Sequence, residues 1–169
     1  MIEVYNHLYC GNDSDAIRVI NMEPEMGWAV CQCAKEPWHR YAVGYTKKSP
    51  SRIIPEYLFA IRNNRLILNM VDSNDPKYYS TELINKALEF MYANRAKRIL
   101  CHCNEGLSRG PSITMLYMAA VLKALPKDFG DAEVEFLKVY RNYIPKKGIR
   151  IHLMENWNGY MQEWEGIKI

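Results

Sequence analysis

Cys103 and Arg109 are the pair in this sequence best placed to do chemistry. They bracket the centre of the run Cys101-His102-Cys103-Asn104-Glu105-Gly106-Leu107-Ser108-Arg109-Gly110-Pro111-Ser112, which lies between two apolar segments. Strand, tight loop, helix is the pattern this predicts, and a helix N-terminus reached through such a loop is a ready anion site. The five residues Asn104, Glu105, Gly106, Leu107 and Ser108 are enough for the backbone to curl so that successive N–H groups converge on one tetrahedral anion. Gly106 supplies the freedom that the curl needs. A cysteine on the floor of the nest, near a helix dipole and a guanidinium, is expected to fall from a pKa of ~8.5 to roughly 3.5–7.5 and so to be a thiolate at neutral pH. Held below a bound phosphate, it is placed for in-line attack on phosphorus, while planar Arg109 grips two equatorial oxygens.

Expelling an alkoxide or phenoxide also requires a proton donor, which must come from outside a loop built of positive potential. The polar stretch Val71-Asp72-Ser73-Asn74-Asp75-Pro76-Lys77 follows the apolar run 66–70, where side chains reach the ends of sheet strands. Asp72 and Asp75 are the two candidates for the acid.

The elements that must position these groups follow an α/β rhythm, with short apolar runs at 8–10, 28–33, 57–61 and 66–71 and a helical pattern at 16–20. Leu83, Ile84, Ala87, Leu88 and Met91 share one face of a helix expected over 81–92, and a buried strand over 98–102 leads straight into the loop. Residues 113–125 read as a largely buried helix, 132–143 as an amphipathic one opened by Asp131, and 151–164 as a closing helix. Residues 35–51 show neither a period of 2 nor of 3.6 and read as a long, substrate-facing loop.

At 169 residues and 49% hydrophobic content, the chain can bury one core without crosslinks, and no Gly/Ser-rich or Pro-rich linker divides it. One domain over residues 1–169 is the expectation. The formal charge is only +3. The short basic clusters Lys146, Lys147, Arg150 and Lys47, Lys48, Arg52 fall short of a nucleic-acid binder's stripe and read as solvated loops. Nowhere do roughly 18 uncharged apolar residues run together, and Met1 is followed by Glu3 and Asn6 rather than by a basic and then apolar leader. A soluble, cytoplasmic protein with no membrane or nucleic-acid partner is expected. Five cysteines, an odd number in a chain of this size, point to reduced thiols.

On His102, Cys103 and Arg109 the chain resembles the dual-specificity branch of the protein tyrosine phosphatase superfamily, whose signature is His-Cys, five residues, Arg. Residues 6–11 look like that family's opening strand and turn, and 145–153 like its late helix connection. The resemblance implies an α/β fold with a central, mostly parallel sheet flanked by helices, and a phosphate-binding loop leading into a helix that begins near Gly110. It also implies hydrolysis of phosphate monoesters through a phosphocysteine, with phosphotyrosine, phosphoserine or phosphothreonine in a protein or peptide as substrate and no metal or organic cofactor. The family's acid is an aspartate on a loop after a strand; Asp72, 31 residues before Cys103, matches it, with Asp75 second. Lipid phosphatases tend to place lysines inside the loop, and Glu105 argues against a polyanionic substrate. The family usually has Ser or Thr directly after the arginine, where its hydroxyl helps the thiolate leave in the hydrolytic step. Here that residue is Gly110, with Ser112 the nearest substitute, so slow turnover is expected.

Plainer readings stand beside these. Asp72 could be a turn residue and Ser112 a helix cap. His102, alternating with Cys103 along a strand, should point away from it and support the loop. Cys31, Cys33, Cys101 and Cys103 could in principle meet at a zinc ion if their strands are neighbours. Cys101 could protect an oxidised Cys103, although a buried inert thiol is the simpler role. Two other functions remain open: a phosphoprotein-binding module that does not turn over, and a rhodanese-like sulfur transferase.

Overall fold

In the computed structural model, which describes residues 1–22 and 27–166, the expected α/β rhythm becomes three layers. Six strands, β1 (Ile2–Tyr5), β2 (Leu8–Gly11), β3 (Trp28–Gln32), β4 (Phe59–Arg62), β5 (Arg65–Leu68) and β6 (Arg98–His102), form one sheet in the order β1-β2-β6-β3-β5-β4. The four inner strands are parallel, and the hairpin partners β1 and β4 run antiparallel at the two edges. The inner strands read as continuous apolar runs because both their faces are covered. β3 is buried at every position.

Among the described residues, six α-helices accompany the sheet: α1 (Asp13–Met22), α2 (Arg40–Val43), α3 (Thr81–Ala93), α4 (Arg109–Leu116), α5 (Phe129–Val139) and α6 (Lys147–Glu163). Helix α1 and Trp38 pack on one face, over Val30 and Leu100. The larger core lies on the other face, where α3, α4, α5 and α6 bury Ile84, Leu88, Ile113, Leu116, Phe136, Leu153 and Trp157 against Cys31, Leu66 and Cys101. Ser80 caps α3 by accepting from the Leu83 N–H at 3.2 Å.

Several boundaries differ from those expected. The buried helix expected over 113–125 begins four residues earlier, at Arg109, and continues through a wider turn over Tyr117–Val121. It stops there because Lys123 takes a left-handed φ of 55°. The helix expected over 132–143 runs over Phe129–Val139, with Asp128 rather than Asp131 accepting from the first free N–H groups, those of Gly130 and Asp131. The closing helix starts at Lys147, not at residue 151. Residues 35–51 are not a plain loop, since Lys35–His39 form a helical turn that leads directly into α2. The edge strand β1 was not expected: three of its four residues are exposed, so it lacks an apolar signature.

Candidate active site

The central strands aim the loop. Strand β6 pairs with β2 on one side and β3 on the other, and at its end the chain turns through residues 103–108 into α4. Gly106 has φ 72°, and a Cβ there would lie 2.8 Å from the Gly11 carbonyl oxygen, so a side-chain-free residue is required. The loop's carbonyls face outward. Asn104 O accepts from Asp13 N–H at 3.1 Å, Gly106 O from the Tyr140 hydroxyl at 2.8 Å, and Leu107 O from Ile144 N–H at 2.8 Å. Ser108 Oγ accepts from Lys146 N–H at 3.0 Å. Burial pushes the Tyr140 hydroxyl well above its ordinary range, so it stays a donor. Carbonyls turned out is the orientation in which N–H groups turn in, as an anion nest requires.

Asp72, Cys103, Asn104, Glu105, Leu107, Ser108 and Arg109 line a pocket of about 190 Å³. All the residues named from the sequence as phosphate-binding are there except Gly106, whose part is to shape the curve behind. Arg109 is buried, donating from Nη1 to Met70 O at 2.8 Å and from Nη2 to Asn104 Oδ1 at 2.7 Å. Its Nε has no hydrogen-bond partner and lies 3.5 Å from Asp72 Oδ1. A guanidinium has five N–H donors, so both fixed bonds leave hydrogens for a ligand.

Asp72 meets this pocket from the loop after β5, its Oδ2 lying 3.0 Å from Lys146 Nζ. Asp75 faces elsewhere, capping the turn Pro76–Tyr78 by accepting from Lys77 N–H and pairing with Lys77 Nζ at 2.7 Å. Two contacts fix the backbone between them. Tyr79 Oη bonds both Ser73 N–H and Ser73 O, and α6 presses so closely that a Cβ on Gly148 would lie 2.4 Å from Ser73 O.

Two residues that the sequence did not single out hold the loop from the side. Asp13, at the start of α1, accepts from Trp38 Nε1 at 2.7 Å and from Asn104 Nδ2 at 2.8 Å. Burial would raise its carboxyl, but contacts from His102, Asn104 and Trp38 outweigh that and hold it at about 2. The path Trp38–Asp13–Asn104–Arg109 thus orients the guanidinium. A signal existed in the sequence, an aspartate following Gly11 at a strand-to-helix turn, but nothing local linked it to Asn104.

His102 points away from the pocket, edge-on to Trp38 with ring centroids 5.5 Å apart and Nδ1 3.4 Å from Asp13 Oδ1. Cys31 and Cys101 are register neighbours, and with Cys33 they bring three sulfurs within 4.8 Å of one another, whereas Cys103 lines the pocket instead of completing a set of four. Hydrogen bonding to Cys101, reinforced by burial, pushes the Cys31 and Cys33 thiols well above their usual range. They are core thiols behind the loop. At Gly110, a Cβ would lie 2.7 Å from His102 C and 2.9 Å from Cys103 N, so α4 leaves no room for the hydroxyl residue the resemblance led one to expect. Ser112 bonds the Tyr143 hydroxyl at 3.1 Å.

No family model matches the sequence, and no curated protein matches it either. Solved structures do. The fold is similar to that of DUSP15, at 17% identity over 100% of this chain and 97% of that one, with a TM-score of 0.65. It is similar as well to the human tyrosine phosphatase-like serine/threonine/tyrosine-interacting protein, at 17% identity, 94% and 96% coverage and a TM-score of 0.64. A leucine rich repeat and phosphatase domain containing protein from Entamoeba histolytica shares 13% identity over 97% and 92%, with a TM-score of 0.63. The chain therefore has the α/β fold of the dual-specificity phosphatases, a central and mostly parallel sheet flanked by helices. Among the described residues, no helix is long and apolar enough to cross a membrane.

Proposed function

We propose that residues 1–169 form one catalytic unit that hydrolyses phosphate monoesters on proteins or peptides through a phosphocysteine at Cys103. The observation that carries this reading is a single 190 Å³ pocket lined by Cys103, Arg109 and Asp72, with the loop carbonyls tied outward around it. In the first step the Cys103 thiolate attacks phosphorus, the ester P–O bond breaks, and Asp72 gives its proton to the leaving oxygen. The Arg109 guanidinium and the loop N–H groups take up charge on the equatorial oxygens. In the second step Asp72, now a carboxylate, accepts a proton from water as the water oxygen attacks phosphorus and the P–S bond breaks. Inorganic phosphate leaves and the thiolate is restored. No step calls for a metal.

The crowding at Gly110 bears on the second step. With glycine at position 110, no hydroxyl is supplied from there to stabilise the departing thiolate, and hydrolysis of the phosphoenzyme should limit turnover. That same feature favours the second reading, a module that captures phosphoproteins, and one protein with this fold is named a serine/threonine/tyrosine-interacting protein. Steady-state hydrolysis of an aryl phosphate with EDTA present, together with vanadate inhibition, separates the two. Turnover that persists in EDTA and is blocked by vanadate supports the enzyme. Tight vanadate binding without turnover supports the module.

A further inference from the structure

Three thiols lie together in the core behind the proposed phosphate loop, and the reaction above uses none of them. Cys31 Sγ is 3.9 Å from Cys33 Sγ, Cys33 Sγ is 3.6 Å from Cys101 Sγ, and all three sulfurs lie within 4.8 Å of one another. The grouping follows from the sheet. Cys31 and Cys101 are register partners on the neighbouring strands β3 and β6, so their side chains share a face, and Cys33, two residues after Cys31, falls on that face again. The Cys33 N–H donates to His102 O at 2.8 Å, which ties the chain just beyond β3 to the end of β6. Each of the three cysteines is 0% exposed.

The other two cysteines are committed elsewhere. Cys10, the register partner of Cys101 on β2, donates to Thr114 Oγ1 at 3.1 Å, and Cys103 lines the catalytic pocket. Among the described residues, no histidine, carboxylate or fourth cysteine joins the group. The ligand set is three thiols and nothing more.

Bond length and charge then select the guest. A thiolate–metal bond of about 2.3 Å puts two sulfurs on one ion about 3.5–4 Å apart, the separation already present in the two closest pairs. Thiolates favour soft ions, but structural zinc takes four protein ligands. Three thiolates would also leave one negative charge on a divalent ion and two on a monovalent one, inside an apolar core that includes Leu66, Met70 and Ile113. On a trivalent ion they leave none.

We propose that Cys31, Cys33 and Cys101 form a tris-thiolate site for a trivalent, thiophilic ion, of which arsenic(III) is the soluble representative. Arsenous acid, As(OH)₃, exchanges three As–O bonds for three As–S bonds. Each thiol proton leaves with a hydroxide as water, so three waters are released and no electron is transferred. Cys101 then gives up the hydrogen bond it donates to Gly110 O at 3.4 Å, at the start of α4, so the guest is felt at the helix that carries Arg109. The site is independent of the phosphatase reading, because none of its three residues lines the catalytic pocket.

The test uses the reduced full chain carrying Cys103→Ser, so that the pocket thiol takes no part. One sample is incubated folded with arsenite, a second is refolded from denaturant with arsenite present, and both are freed of excess and weighed intact. The expected result is one arsenic per chain, seen as the gain of one arsenic atom and the loss of three hydrogens, with X-ray absorption at the arsenic edge showing three sulfur neighbours and no oxygen. Cys31→Ala, Cys33→Ala and Cys101→Ala, each confirmed as folded by a melting curve, should weaken retention about tenfold or more, since each removes one arm of the chelate, whereas Cys10→Ala should not. The absorption spectrum needs no cysteine variant of the cluster. Two sulfurs and an oxygen around arsenic would overturn the site, as would no arsenic in either sample, undiminished retention in Cys33→Ala, or retention of zinc in place of arsenic when both are offered.

Discussion

The proposed phosphate loop, residues 103–109, accepts four hydrogen bonds from beyond the helix it enters, donated by Asp13 and Ile144 N–H, the Tyr140 hydroxyl and Lys146 N–H. The loop after β5 is tied more loosely at Asp72: the partly exposed Lys146 ammonium reaches Asp72 Oδ2 at 3.0 Å and Asp72 O at 3.4 Å, and Arg109 Nε lies 3.5 Å from Asp72 Oδ1. Exposed ion pairs contribute little, whereas bonds to buried carbonyls fix geometry. The proposed nucleophile loop is thus fixed by hydrogen bonds made directly to its own residues. The acid half is placed from outside, by Tyr79 and by the close approach of α6 at Gly148.

The contrast orders the expected effects. Cys103→Ser should abolish turnover of aryl phosphates at every pH, because no other group on the floor of the pocket can form the covalent intermediate. Vanadate or phosphopeptide binding should survive, since Arg109 and the loop N–H groups remain. Asp72→Asn should lower kcat about 10²–10³-fold for substrates with poor leaving groups and far less for good ones. Asp75→Asn should do neither, since Asp75 caps its own turn.

Gly148→Ala sharpens the comparison, because the atoms nearest the new methyl, on Ser73, Asn74 and Asp75, all belong to the loop after β5 and none to residues 103–109. It should destabilise the protein by about 1–3 kcal/mol and reduce kcat about tenfold, with leaving-group dependence like that of Asp72→Asn and unchanged vanadate affinity. Activity independent of α6 packing would put the acid loop's position elsewhere than in this contact.

The smallest effect should come from Asp13→Asn. The Asp13 carboxyl sits at about 2 in the folded chain, below an unfolded value of about 3.9, so its contribution to stability is complete above the higher value and disappears as the pH falls through the lower. The melting temperature of Asp13→Asn should lie a few degrees below that of the wild type at pH 7 and converge with it between roughly pH 4 and pH 2. A gap that is the same at pH 7 and pH 2 would mean that the Asp13 charge is not what braces Asn104.

How much of this was legible in the sequence follows the same division. Cys103, Arg109 and the loop between them are contiguous, so their spacing alone pointed to a strand, a turn and a helix, which the fold has, and β6 (Arg98–His102) emerged with the bounds its apolar run suggested. Asp72 was legible by its place after an apolar run, but what separates it from Asp75 is a capping bond and a lysine pair, which composition does not encode. Asp13 was missed because its partner Asn104 is 91 residues away. The crowding at Gly110 was equally hidden, since it depends on how closely α4 approaches the end of β6. Helix starts were displaced wherever a cap lay upstream of the first apolar repeat, as at Asp128. Residues 35–51 lacked any period because one buried lysine and short helical turns organise them, not a repeating face.

The most direct test is to mix the wild type with an excess of an aryl phosphate, quench in acid within the first turnover, and measure intact and peptide masses. A phosphocysteine mechanism with a slow second step predicts an added phosphoryl group that maps to Cys103 and is absent in Cys103→Ser, with a burst of phenol matching the amount of enzyme. Steady turnover with no burst and no phosphoryl group on Cys103, or with the group on another residue, would contradict the account.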